Sequence, residues 1–474
     1  GDFSAALTGR QLGTDPLGRP ILENAIYDPR TTRTVNGQVV RDVFPNNVIP
    51  AELLDSVALK VQGLMPNADN NELLNNWDPR TQNFRYQTIP SVKIDHNFSP
   101  NSRFSGYWSV QDTDQITGAD GLPIPITGRR DQKIYGHTVR LNLDQTIRPT
   151  FLVHLGAGYV RFHNPDSAPD DVLNYDAVTG IGFTGASSDP SGFPRITGAG
   201  GNLANNRGGM GFNMGPTQAN KFWNDKLTAV ASASWVRNNH TYKFGGEFKQ
   251  EVWSDVNLTF MQGMVAFNEA QTGLPYLQNT TVGGGTIGQK YASFLMGLVN
   301  NATVSARRDP QWRKQAWSFY AQDNWKIRRN LTFDYGLRWD YAGQGHEIYY
   351  RTSQVGINTP NPSAGGLPGG FVYEGYGSGR CNCSFTQTYP YAFGPRLGMA
   401  YQWKDKTVLR AGWGISFSGL PNWWYVTGGS NQLGLGFNSV DFSNPAFGEA
   451  ALRMQNGLQY NRADLYTATL DPGI

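Results

Sequence analysis

Residue types able to do covalent chemistry are few in this 474-residue chain, and their spacing does not suit it. The two cysteines lie at Cys381-Asn382-Cys383, and the six histidines are His96, His137, His154, His163, His240 and His346. No His stands at zinc-site spacing from the cysteines, and no HExxH is present, so no metal centre is expected. The cysteines read as a loop pair, oxidised or free. Gly180-Ile181-Gly182-Phe183-Thr184-Gly185 spells G-x-G-x-x-G, but no helix follows and no acidic residue lies about 20 positions on. With 56 glycines in the chain, chance accounts for it. Asp112, Asp114 and Asp120 near Gly118 lack the carbonyl and bidentate Glu positions of a calcium loop, and Asp170-Asp171 reads as solvated loop acid. No nucleophile elbow, Walker loop or Cys/His nucleophile pair occurs. The residues thus point to no enzyme, with no catalytic side chain, metal or cofactor expected.

Candidates for binding are better defined. Trp423-Trp424-Tyr425 is either an aromatic belt or loop core, or a platform on which a ligand stacks. Arg338, Arg396 and Arg410 fall on polar positions of alternating segments. They either contact a ligand or pair across strands with acids such as Asp334 and Asp340. Only 16% of residues are charged and the net charge is +3, against about 25% charged in an average soluble domain. The absence of any Lys/Arg run excludes a nucleic-acid footprint. No stretch approaches the roughly 18 apolar residues of a membrane-spanning helix. Gly1-Asp2-Phe3-Ser4 shows no secretory leader.

The elements that would position these residues are five repeated hairpins, each of two runs alternating apolar with polar across a short turn. The clearest spans 315–341. There Trp317, Phe319, Ala321, Trp325 and Ile327 share one parity; after Arg328-Arg329-Asn330, the residues Leu331, Phe333, Tyr335, Leu337, Trp339 and Tyr341 alternate with Thr332, Asp334, Gly336, Arg338 and Asp340. A second lies at 393–417, and weaker ones at 88–110, 132–162 and 226–252. Ten strands follow, with Tyr291 to Ser305 as a possible eleventh. Between hairpins run connections of about 20 to 60 residues, rich in Gly, Asn, Ser and Pro, where compact domains rarely need more than about 15.

Short turns alternating with long loops, and strands near the roughly 9 to 11 residues that cross hydrocarbon, predict an all-β fold: an antiparallel transmembrane β-barrel, partial, with about 10–12 strands here of a larger barrel. Lipid demands closed backbone pairing and an apolar outer face, whereas the lumen can be wet. Trp235, Trp253, Trp325, Trp339, Tyr341, Trp403 and Trp413 are assigned to the apolar parity near strand ends, where aromatic rings meet headgroups. Asp323 interrupts that parity, which a bulge or a place near the interface would accommodate. A soluble sandwich, propeller or solenoid would show more charge, shorter strands and shorter connections. The expected organisation is 1–87 as a long extracellular loop or cap with a short helix near 51–63, 88–417 as barrel hairpins with long loops, and 418–474 as a further extracellular loop.

Phe393-Gly394-Pro395-Arg396-Leu397-Gly398-Met399-Ala400-Tyr401, followed by Thr407-Val408-Leu409-Arg410-Ala411-Gly412-Trp413-Gly414-Ile415, resembles a strand pair of TonB-dependent outer-membrane receptors, most closely the Oar-like subgroup with its carboxypeptidase-regulatory-like domain. Phe44-Pro45-Asn46-Asn47-Val48-Ile49-Pro50, Ile94-Asp95-His96-Asn97-Phe98, Phe294-Leu295-Met296-Gly297 and Phe319-Tyr320-Ala321-Gln322-Asp323-Asn324-Trp325 agree. The resemblance implies a cell outer-membrane location among outer-membrane lipid. It also implies capture of a scarce solute or peptide at outer loops, and import when a TonB energising complex acts through a plug region. Such receptors carry a leader, a plug, about 22 strands and a terminal aromatic strand, none of which is recognised here, so the chain reads as an internal barrel fragment. The alternatives are a passive porin-like channel and a surface adhesion or secretion-assisting protein.

Overall fold

The computed structural model describes residues 1–72, 76–198, 213–343, 345–361, 364–377, 380–385, 388–417 and 438–466. Ten long strands dominate it: β1 (Ser91–Ser99), β2 (Ser102–Thr117), β3 (Arg130–Arg148), β4 (Phe151–Ser167), β5 (Ala219–Arg237), β6 (His240–Asn257), β7 (Gln311–Arg328), β8 (Leu331–Ala342), β9 (Tyr389–Lys404) and β10 (Thr407–Gly414). Their order in the sheet follows the chain, and every neighbouring pair is antiparallel. All five hairpins expected from the alternation are present. Phe84–Thr88 continues the first edge by pairing with the far end of β2. Among the described residues, β10 has no strand on its outer side, and neither have β1 and Phe84–Thr88 at the opposite edge.

Most strands are longer than the alternation suggested: β3 has 19 residues and β7 has 18. The extra length lies toward the long loops. Strict alternation lasts only while one face meets hydrocarbon, so strand residues beyond the bilayer lose the signal that marks them.

The connections do not trail as separate loops. Residues 1–65, the 168–198 and 258–306 segments and 438–466 share one apolar core that includes Phe3, Ile26, Phe44, Val57, Phe183, Phe193, Phe294 and Leu458. A helix, α1 (Ser56–Gln62), buries Val57, Ala58 and Val61 there. Its cap is Asp55, whose Oδ1 accepts from the Val57 and Ala58 amides at 2.9 and 3.0 Å while Oδ2 accepts from the Gln455 amide at 2.8 Å. One carboxylate thus satisfies the helix N-terminus and holds a segment 400 residues away.

Tyr291 to Ser305 is not an eleventh barrel strand. Lys290–Leu295 forms a helix, and Asn301–Ser305 joins a separate four-stranded sheet with Arg195–Thr197, Met264–Ala266 and Ser439–Ser443. The buried Ala292, Phe294, Leu295 and Met296 face the cap core, and Gly297 at φ +63° ends the helix in the left-handed conformation that glycine tolerates.

The hairpin of strands β11 (Tyr27–Val35) and β12 (Gln38–Val43) in the cap is laced by Asp42. Its carboxylate receives Arg33 at 2.8 Å on each oxygen and also contacts Arg19. Arg33 first, and then Arg19, hold the Asp42 carboxyl down at about 2 from its ordinary 3.8. A carboxyl lowered on folding stabilises above its unfolded value, and that gain is lost as pH falls through the folded one. With the intrinsic pH dependence of amide exchange divided out, the protection of this hairpin is therefore expected to be flat from pH 7 to about 4 and to fall between about 4 and 2. An Asp42→Asn protein should exchange faster than wild type at pH 7 and lose the acid step; an acid step retained in that variant would refute the assignment.

Candidate ligand-facing site

Register sorts the side chains into two faces. On β7, Trp317 lies opposite Phe248 and Tyr341, Phe319 opposite Trp339, and Ala321 opposite Phe244 and Leu337. This continuous apolar surface is the lipid side. The other face carries Lys243, Glu247, Lys249, Ser318, Gln322, Asp334, Arg338, Asp340 and Arg396, and is the wet side of the barrel wall.

Two adjoining hollows of about 470 and 280 Å³ open on the wet face across β6 to β9 and share Arg338 and Arg396. Glycines make the room: a Cβ on Gly336 would stand 2.7 Å from the Gln322 Cβ, and one on Gly398 3.3 Å from the Asp334 Cβ. The arginines have different surroundings. Arg338 bonds Asp340 at 2.9 Å and approaches Glu247 at 3.8 Å, while the Ser318 hydroxyl donates to Asp340 at 2.7 Å. Arg338 thus pairs mainly along its own strand, with Asp340 on β8, and its contact across strands is the looser one to Glu247 on β6; Asp334 bonds Asn324 instead. Arg396 lines both hollows and, like Lys243, makes no ion pair among the described residues. Arg410 lies on the same face of β10, opposite Ala400, exposed and outside both hollows. Trp423, Trp424 and Tyr425 lie outside the described residues.

Trp253 corrects the aromatic assignment. Register places it opposite Asn224 and Trp312, on the wet face rather than the lipid face. Its ring stacks on Phe222 at 4.7 Å, and Phe162 lies 5.9 Å beyond. An aromatic run therefore lines the wet wall at the loop end, close to the cap. The signal was available in the sequence: Phe244 and Phe248 set the outward parity of β6, and residue 253 has the opposite one.

Asp323 does lie on the lipid face, and no bulge turns it away, since the register with β6 is continuous. It stands between Tyr242 and Tyr335, one step from Trp325 and His240, in the aromatic row near the turns. The glycine motif at 180–185 is structural: Ile181 and Phe183 are core residues, and a Cβ on Gly185 would sit 2.2 Å from the Leu458 carbonyl oxygen. The Asp120 carboxylate closes its own turn by accepting from the Thr127 hydroxyl and the Leu122 and Gly128 amides. Cys381 and Cys383 are joined in a disulfide.

Solved outer-membrane proteins align with parts of this chain at low identity. The copper transporter OprC aligns with 70% of this chain and 37% of its own, at 10% identity and a TM-score of 0.37. FpvA of P. aeruginosa, solved with ferric pyoverdine, aligns over 70% of this chain and 35% of its own, at 10% identity and TM-score 0.32. The ferric-catecholate import receptor Fiu of E. coli K12 aligns over 79% and 60%, at 11% identity and TM-score 0.24. The chain thus spans little more than a third of the first two. No curated protein matches the sequence. A family model described as an outer membrane beta barrel domain matches residues 1–473. With its apolar lipid face, wet inner face and antiparallel strands, the chain belongs to the outer-membrane β-barrel domain family and resides in the outer membrane.

Proposed function

We propose that this chain is the barrel part of an outer-membrane receptor and transporter of the TonB-dependent, Oar-like kind, an internal stretch of a longer protein. It captures a scarce solute on the loop side and passes it along the wet wall by gated import, driven by the TonB energising complex through a plug region. One observation carries the reading: a folded cap at the loop end and, on the wet face, a glycine-deepened groove holding two cations, Arg396 and Lys243, without carboxylate partners among the described residues. A guanidinium that makes no hydrogen bond or ion pair among the described residues is placed to receive an anionic or carbonyl-rich group. Arg410 and the Trp423-Trp424-Tyr425 run are further proposed contacts.

The test is solute depletion from spent medium by cells carrying the full-length protein, with and without the energising complex. Depletion is expected only with the complex. Arg396→Ala should lower uptake about 10-fold or more, the size of one charge-assisted hydrogen bond, with surface abundance unchanged. Uptake independent of the complex, together with conductance in planar bilayers, would instead establish a passive channel. Cell attachment without uptake would establish adhesion.

A further inference from the structure

The short turns carry a pattern that solute passage does not use. Each of the five hairpins closes through a connection of two residues. In four successive hairpins the first strand ends on a cation: β3 on Arg148, β5 on Arg237, β7 on Arg328 and β9 on Lys404. Only the first hairpin departs from this, with Ser99 at the end of β1. Register places Arg148 opposite Phe151, Arg237 opposite His240, Arg328 opposite Leu331 and Lys404 opposite Thr407. Those partners continue the outward parity of β4, β6, β8 and β10. At three of the turns the register shifts just before the cation, between 146 and 148, 326 and 328, and 402 and 404. The extra residue moves an even-numbered cation from the wet parity to the lipid side.

All four cations are exposed, and none makes an ion pair among the described residues. Arg237 lies over the Trp235 ring at 5.5 Å and Lys404 over the Trp403 ring at 5.0 Å, so both rest against lipid-facing aromatics. Within the turns Arg329 and Lys406 add charge, and Asp405 is the only acid. At the loop end Arg129, Arg130 and Arg161 are instead paired with Asp131, Asp166 and Asp225 at 2.7–3.3 Å.

An aromatic row with cations immediately beyond it follows the order of a leaflet, acyl chains first and phosphates next. Successive hairpins lie about 10 Å apart across the sheet, so each cation meets a separate headgroup. Two-residue turns leave little of the chain beyond the membrane for a protein to hold. In outer-membrane barrels the short turns face the periplasm, so this rim meets the inner leaflet. A zwitterionic headgroup brings its own cation to the same place, and an anionic one does not.

We propose that the rim binds anionic phospholipids of the phosphatidylglycerol type, each strand-ending cation receiving one phosphodiester. The proposal holds whether or not the barrel moves a solute.

The test is native mass spectrometry of the full-length protein, delipidated and then equilibrated with equal amounts of palmitoyl-oleoyl phosphatidylglycerol, phosphatidylethanolamine and phosphatidylcholine. Wild type should retain phosphatidylglycerol about 5-fold or more over either competitor, the worth of one cation at an anionic surface. Raising the salt from about 0.1 M to about 1 M should narrow that ratio, because the screening length falls from about 10 Å to about 3 Å. Arg148→Gln, Arg237→Gln, Arg328→Gln and Lys404→Gln combined should bring the three lipids within about twofold. Arg148→Lys, Arg237→Lys and Arg328→Lys combined keep the charge and should keep the preference. Lys60→Gln removes a cation of the cap and should change nothing. Heat-modifiable migration reports folding; should the fourfold variant fail, Arg148→Gln with Arg237→Gln, and Arg328→Gln with Lys404→Gln, decide the case, each lowering the ratio. Equal retention of the three lipids by wild type, a preference unchanged in the glutamine variants, or one lost equally in Lys60→Gln would each overturn the proposal. So would binding of soluble polyglutamate in place of lipid, which would give the rim an acidic protein partner.

Discussion

Replacing Arg41 with methionine is expected to loosen the cap while leaving the ten-strand sheet folded. Arg41 is fully buried. Its guanidinium donates to the carbonyls of Gln271 and Gly448, each at 2.9 Å, to the Thr32 hydroxyl at 3.0 Å, and to Glu449 Oε1 at 2.9 Å. It therefore ties the N-terminal segment to two others, the farther 408 residues along the chain. Removing one partner of a buried pair costs about 3–5 kcal/mol. Glu449 is half exposed here and can be rehydrated, so about 2–3 kcal/mol is expected, mostly from the stranded carbonyls. Arg41→Lys should recover only part of this, because an ammonium cannot reach all the acceptors that the planar fork reaches. Hydrogen exchange should quicken in 1–65, 258–306 and 438–466 but not in β3 to β8. Equal protection of the cap in both proteins would show that apolar packing alone holds it.

Leu337→Arg should be the most damaging single change in the sheet. Leu337 is mid-strand on the lipid face, opposite Ala321 and Pro395. A cation facing the bilayer midplane costs about 2–4 kcal/mol. Thr138→Arg puts the same charge on the wet face, opposite Ser109 and Val160, where water remains available, and should cost less than about 1 kcal/mol. Urea titration in lipid vesicles measures both. Equal losses would contradict the division of the strands into lipid and wet faces.

These outcomes separate two kinds of information. The hairpins were legible because a strand's two faces meet different solvents, and that difference repeats every second residue over ten or more positions. Trp317, Phe319, Leu337 and Trp339 could be assigned to one surface without knowing what they touch. Trp253 shows the limit of residue type: an aromatic near a strand end suggests a headgroup contact, but its parity puts it on the wet face. Asp323 was legible as an exception, but its neighbours were not: Tyr335 lies across one strand pairing and His240 across another.

The candidate site was legible only in part. Arg338, Arg396 and Arg410 fall on the polar parity, yet parity cannot separate a paired cation from an unpaired one. That distinction rests on Asp340 and Glu247 lying beside Arg338 while Arg396 lines the groove. The cap was least legible, because its core joins residues from Phe3 to Leu465 with no repeating spacing, so that Tyr291 to Ser305 resembles an added strand until its neighbours are known. Sequence alone determined the class of the wall and which way its side chains point, because alternation is local and the bilayer imposes it strand by strand. Tertiary structure alone decided the cap, the Arg396 that makes no ion pair among the described residues and the pairing of Asp323 with His240 and Tyr335, because each depends on which distant residues arrive within about 3–4 Å, and no spacing along the chain encodes that distance.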